Sequence, residues 1–206
     1  MVRILTVRTR DQLDLVTVQE KLDGSCVAVG KLNGEILPLI RAGYLATQSH
    51  YEQHHYFADW VGQNRPRFDF LLDEGERCAG EWLMEAHGTV YNLPHEPFVI
   101  FDILRKHRRT PASIVKERAE RQGFVTPRVV HVGGAISIED VVLRLDPSGH
   151  GAVGLVEGAV WRLEREGAVE YLAKYVRPQK DPGEFFSHRS GQPTIYNWRP
   201  AIFPRR

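Results

Sequence analysis

Val18–Ser25 reads V-Q-E-K-L-D-G-S, and the residues after it, C-V-A-V-G-K, carry the apolar-rich pattern of a strand. A lysine followed by Leu-Asp-Gly therefore stands at the threshold of a sheet. Lys21 has two readings there: an ordinary surface lysine before a turn, or a nucleophile. The motif alone does not choose, since Lys-x-Asp-Gly recurs by chance in about one in twenty chains of this length at ~6% usage for Lys and Asp and ~7% for Gly. The neighbouring sequence is more decisive for the fold. Ser25–Lys31 and Glu35–Arg41 are apolar-rich runs joined around Asn33-Gly34. Asn-Gly is the preferred two-residue hairpin turn because both residues tolerate positive φ. Lys21 is thus expected just before the first strand of a hairpin.

Working outward, Ser49 to about Asn64 reads as a helix with Tyr56, Phe57, Trp60 and Val61 at helical spacing. Arg77–Leu83 and Pro97–Leu104 read as strands. The second contains F-V-I-F-D-I-L, nearly all apolar, as a buried strand should be. Thr110-Pro111 predicts an N-cap with proline at the first helical position, and Gly123 a helix stop. Ser137–Asp140 resembles a capping box with Asp in place of Glu. Glu157–Leu163 and Val169–Val176 form a second expected hairpin, turning near Glu166-Gly167. Many antiparallel strands with interspersed helices predict the α+β class.

At 206 residues the chain suits one domain, 1–206, with 177–206 as a basic and aromatic tail. Hydrophobic content of 42% and charged content of 26% are those of a soluble globular protein. No apolar run has membrane-spanning length, and M-V-R-I-L-T-V-R-T-R lacks a signal-peptide core, so no membrane partner and a cytoplasmic location are the expectations. Cys26 and Cys78 make no metal-ligand pattern and read as free buried thiols. Net charge is only +1, but residues 105–128 hold eight Lys and Arg against Glu117 and Glu120, and the segment from Arg177 adds six. Such local excess suits a polyanion, or a solvated helix face.

Further segments follow in order: I-R-A-G at Ile40–Gly43, G-E-W at Gly80–Trp82, F-V-I-F-D-I at Phe98–Ile103, E-G-A-V-W-R at Glu157–Arg162 and L-A-K-Y-V-R at Leu172–Arg177. With K-L-D-G they resemble the covalent nucleotidyltransferase superfamily of polynucleotide ligases and mRNA capping enzymes. The likeness is greatest to ATP-dependent RNA ligases of the T4 RNA ligase 2 type, and it runs from about Val18 to Arg177. The resemblance implies an adenylyltransferase domain of antiparallel sheets with flanking helices and a nucleotide pocket between the sheets.

It also implies roles. Lys21 would attack the α-phosphorus of ATP, forming lysyl-AMP and releasing pyrophosphate. A lysine attacks only when neutral, and a nearby Mg²⁺ (or Mn²⁺) with Lys174 as second cation would disfavour its ammonium form. Lys174 would also contact the α-phosphate. Glu20 would accept from the adenine N6 amine, Arg41 and Glu81 would hold the ribose hydroxyls, and Phe101 would stack on the purine. Glu157 would hold the metal. Core packing is a rival reading for Phe101, and a solvent-facing acid is one for Glu20. Strand alternation puts Phe101 with Ile103 on one face and Ile100 with Asp102 on the other, and it groups Glu157 with Ala159 and Trp161. For the buried Asp102, function and a structural ion pair both stand. His50 and His54 have metal-ligand spacing without a third ligand and read as a helix face.

The resemblance implies RNA as partner, with a 5′-phosphate end activated by AMP and then attacked by a 3′-hydroxyl. The basic helix at 111–122 and the tail are the candidates for backbone contact. Two departures bear on this. Relatives often carry Lys-x-Lys in the last motif; here the first position is Leu172, leaving a phosphate contact missing or supplied by Arg177 or Arg162. About thirty residues then remain, fewer than a further domain needs. The alternatives are a GTP-dependent capping guanylyltransferase and a catalytically weakened nucleotide- or RNA-binding module.

Overall fold

The computed structural model describes residues 2–3, 14–181 and 183–199. In chain order the strands are β1 (Val2–Arg3), β2 (Leu15–Lys21), β3 (Ser25–Leu32), β4 (Glu35–Ile40), β5 (Glu76–Trp82), β6 (Phe98–Arg105), β7 (Arg108–Arg109), β8 (Val129–Gly133), β9 (Gly158–Arg165) and β10 (Ala168–Val176). The α-helices are α1 (Glu52–Gln63), α2 (Arg65–Leu71), α3 (Ala112–Arg121), α4 (Ile138–Val142) and α5 (Ser187–Ser190). Two five-stranded sheets result, one in the order β1-β10-β9-β2-β8 and the other β4-β3-β5-β6-β7. All pairings are antiparallel except β1 with β10. This is the expected α+β class.

Both hairpins form where expected. Asn33 and Gly34 take φ of 52° and 73°, and Glu166 and Gly167 take 49° and 77°. The β3–β4–β5–β6 sheet buries its outer face against α1, α2 and α3. Phe57, Trp60, Phe68, Trp82, Phe98 and Phe124 interlock there, with Trp60 5.6 Å from Trp82 and Phe68 4.8 Å from Phe124 between ring centroids. Full burial of each such side chain contributes about 1.5–3 kcal/mol. The other sheet buries Val16, Val18, Ala159, Trp161 and Leu163 against Val141 and Leu145. The two remaining faces look at each other across a cleft.

Alternation fails at two places that matter. Between β5 and β6 the register shifts: Ala79 opposes Asp102 but Gly80 opposes Ile100, leaving Phe101 unmatched. Such a bulge re-aims side chains. Ile100 and Ile103 therefore both enter the helix-side core, while Phe101 and Leu104 line the cleft, so Phe101 and Ile103 do not share a face. Glu157 also departs from its expected grouping with Ala159 and Trp161. The strand begins at Gly158, and Glu157 reaches the cleft instead.

The cap of α3 differs from expectation as well. Pro111, not Thr110, holds the N-cap position and offers no side-chain bond. Glu164 on β9 accepts from Ala112 N at 2.7 Å, placing a carboxylate at the helix N-terminus from the opposite sheet. Arg162, also on β9, donates to Phe101 O at 2.9 Å and Thr110 O at 3.1 Å. Its guanidinium pairs at 3.3 Å with Asp102, which pairs in turn with Arg109. Asp102 thus proves to be the centre of an ion pair that joins the sheets.

Asp102 is wholly buried and Arg162 is 2% exposed. Removing one partner of such a pair leaves an uncompensated buried charge. Asp102→Ala is expected to lower unfolding free energy by about 3–5 kcal/mol in urea titration. Replacing Asp102 and Arg162 together by leucine should cost less than either single change. Equal stability of Asp102→Ala and the parent chain would show that this ion pair does not hold the sheets together.

Candidate active site

The cleft encloses about 840 Å³. On β2, Val16 and Val18 face the core, so Gln19 and Lys21 turn to the cleft. Lys21 Nζ lies 2.5 Å from Glu157 Oε2 and 3.2 Å from Leu22 O. Its side chain keeps 19% exposure against 5% for Glu157. Burial raises the Glu157 carboxyl pKa and the Lys21 charge opposes the rise, with Asp23 adding to it and Lys174 lowering it.

The Asp-Gly of the opening motif has a steric reason. A Cβ on Gly24 would stand 2.6 Å from Trp82 O, so the link between the sheets can pass only as glycine. That approach lets Gly24 N donate to Glu81 Oε1 at 3.0 Å. Burial pushes the Glu81 carboxyl up to about 8. Asp23 Oδ2 accepts from Gly88 N at 2.8 Å, and Asp23 N donates to the Tyr91 hydroxyl at 3.0 Å.

Lys21, Arg41, Glu81, Phe101, Glu157 and Lys174 all line this one cleft. Lys174 lies on β10 opposite Val160 and has no ion-pair partner among the described residues. Arg41 is exposed at the rim. Glu20 differs. Its carboxylate turns to the other face of β2, where it accepts from Gly149 N at 2.8 Å, Arg128 Nε at 3.3 Å and Ser148 Oγ. Three structural bonds occupy the group expected to meet an adenine amine, and Glu20 is no solvent-facing acid either, at 2% exposure.

Among the described residues no group of three His, Cys, Asp or Glu side chains could hold a metal alone. Glu157, with Asp23 contributing negative charge nearby, fits a hard cation that takes its other ligands from phosphate and water. His50 and His54 do not act together. His54 lines the cleft with Nδ1 held 2.7 Å from Ser49 Oγ, while His50 is exposed outside α1.

The substitutes expected for a second phosphate-contacting lysine are engaged elsewhere. Arg162 is the inter-sheet clamp, and Arg177 pairs with Asp146 at 2.5 Å. The helix α3 packs on the outer face of its sheet, away from the cleft, and Lys116, Arg118 and Arg121 pair with Glu120, Glu76 and Glu117. Its charge is largely spent within the fold.

His87, Arg77 and Arg109 line the cleft without having been expected there. His87 bonds the Gly24 backbone and leaves Nε2 without a partner; burial lowers its pKa. For Arg77 a signal existed, since strand alternation puts residues 77, 79 and 81 on one face.

The tail also belongs to the site. Gly183 and Phe186 line the cleft, and Phe186 packs 4.5 Å from the His87 ring. Trp198 packs 5.9 Å from Trp82. Asn197 donates to Leu83 O and accepts from Tyr91 N, both at 2.9 Å. Phe203 lies outside the described residues. Packing, rather than a free polynucleotide surface, accounts for Phe186, Tyr196 and Trp198. A chain stopped after Asp181 is therefore expected to lose thermal stability and adduct formation together, in a melt and an intact-mass assay with ATP. A stable truncated chain with full adduct yield would return these aromatics to substrate binding.

A family model described as RNA ligase matches residues 14–176. Among solved structures, an archaeal ATP-dependent RNA ligase superposes with a TM-score of 0.52 at 18% identity, over 85% of this chain and 47% of that one. A Naegleria gruberi RNA ligase variant with AMP and Mn superposes with a TM-score of 0.57 at 16% identity, over 85% and 56%. The same organism's ligase with pyrophosphate gives 0.55 at 17%, over 85% and 56%. At these identities the likeness establishes the fold. The chain spans about half the length of these structures. No curated protein matches it.

Proposed function

The chain belongs to the RNA ligase family, and from that membership we propose that it is an ATP-dependent RNA ligase working through Lys21. The observation that carries the reading is the Lys21–Glu157 pair at 2.5 Å inside a cleft that Lys174 also lines. The shared position of Lys21 at the end of β2, Glu157 before β9 and Lys174 on β10 supports a nucleophile, a cation-holding acid and a second cation acting together.

Lys21 Nζ forms a bond to the α-phosphorus as the bond to the pyrophosphate oxygen breaks. The proton on Nζ must leave for solvent first, because a carboxylate that holds a cation is no longer a base for it. Bound at Glu157, a Mg²⁺ or Mn²⁺ ion would neutralise phosphate charge and disfavour the lysine ammonium. Lys174 faces the growing charge on the phosphoryl group. Glu81 and Arg41, which line the same cleft, would hold the ribose, and Phe101 would stack on the base. AMP then passes from Lys21 to an RNA 5′-phosphate, and attack by a 3′-hydroxyl releases it. One nucleotidyltransferase unit acting in cytoplasmic RNA repair is the setting this implies.

The test is incubation with Mg²⁺ and ATP or GTP, followed by intact mass and then by addition of nicked and single-stranded RNA. An AMP adduct that RNA discharges supports the reading. A GMP adduct would support capping, and nucleotide binding without any adduct a binding module.

A further inference from the structure

The cleft has two electrical poles. Acids gather at the Lys21 end: Asp23, Glu81 and Glu157. Four residues before Glu81, on the same face of β5, stands Arg77, roughly 13 Å away at ~3.3 Å per residue. Arg77 opposes Leu104 on β6, and Leu104 opposes Arg109 on β7. Directly opposed residues share a face, so the three form a row across the sheet, with the two arginine backbones about 10 Å apart. All three line the cleft. Across from them, Arg162 and Leu172 oppose one another on β9 and β10 and line it too.

This pole is positively charged beyond its local compensation. Arg109 and Arg162 share one carboxylate, that of Asp102. Arg77 is exposed and has no ion-pair partner among the described residues. The Arg109 pKa is lowered by burial first, then by the charges of Arg162 and Arg77, so these cations stand close enough to repel. An anion seated between Arg77 and Arg109 would relieve that repulsion, and guanidinium groups match the paired oxygens of phosphate.

We infer that Arg77 and Arg109 form a second phosphate subsite in the Lys21 cleft. The inference rests on the cleft being a nucleotide site and adds where a further phosphate sits. That phosphate comes either from the terminal phosphates of the nucleoside triphosphate or from the 5′ end of the RNA.

Direct binding separates these sources without requiring turnover. Inorganic pyrophosphate is titrated calorimetrically into the full chain, and an RNA oligonucleotide is compared with and without its 5′-phosphate. In Arg77→Ala, pyrophosphate affinity or the gain from the 5′-phosphate is expected to fall about tenfold. Arg77→Lys should fall between, and circular dichroism confirms the fold of both. Loss of pyrophosphate binding assigns the nucleotide; loss of the 5′-phosphate gain assigns the RNA end. The subsite is overturned if Arg77→Ala keeps both, or if the parent chain shows neither. If the parent chain makes no lysyl-AMP yet the Arg77 effect is present, the ligase reading falls and the subsite stands. If lysyl-AMP forms normally and both phosphate affinities survive Arg77→Ala, only the subsite falls.

Discussion

Lys21→Ala is expected to yield no covalent AMP adduct while the chain folds as before. The side chain lies at the end of β2, and among the described residues its amine bonds to Glu157 and Leu22 O, so its removal opens no core cavity. Glu157 loses its partner, but a carboxyl whose pKa burial already raises can take a proton instead. Lys21→Arg should fail equally, because a guanidinium stays protonated at any working pH. The check is intact mass after incubation with ATP and Mg²⁺, beside a thermal melt. An adduct of undiminished yield in either variant would falsify the nucleophile.

Glu157→Gln and Lys174→Ala should each slow lysyl-AMP formation by about 10²–10³-fold, the usual loss when one group facing transition-state charge is removed. Their signatures should differ. Glu157→Gln keeps the shape but loses the anionic ligand, so its rate should need more Mg²⁺. Lys174→Ala should be slow at every Mg²⁺ concentration, since no ion replaces a missing contact on the phosphoryl oxygens. Single-turnover rates across a Mg²⁺ series tell the two apart. Near-normal rates in both would mean that the reactive centre lies elsewhere.

The hairpins, the central strands and α1 were legible because local rules set them. Asn33-Gly34 can hardly be other than a turn, and F-V-I-F-D-I must be buried. The convergence of Lys21, Glu81, Phe101, Glu157 and Lys174 was legible only through motif resemblance, since nothing local in each segment says that the others are near. Strict alternation misplaced Phe101 and Glu157, one because of a bulge and the other because its strand starts one residue later. Position next to Lys21 gave no sign that Glu20 is held by a loop more than a hundred residues away. The N-terminus of α3 was misread for a similar reason: its cap comes from Glu164, distant in sequence. Charge counting also misled, because most cations of α3 are matched by acids on the helix itself or on β5.

The attachments of β9 to the Thr110–Ala112 corner have a thermodynamic consequence for ligand capture. Arg162 and Glu164 fasten the sheets at one flank, and the short Leu22–Gly24 link joins them at the other. Two walls held on both sides have little freedom to swing, so an arriving nucleotide finds its surfaces nearly in place and loses little backbone entropy to them. The work it must do is electrical instead. Lys21 and Glu157 have to be prised apart in a partly desolvated space before either can address a phosphate. Recognition in this cleft should therefore be governed by ionic exchange rather than by hinge closure.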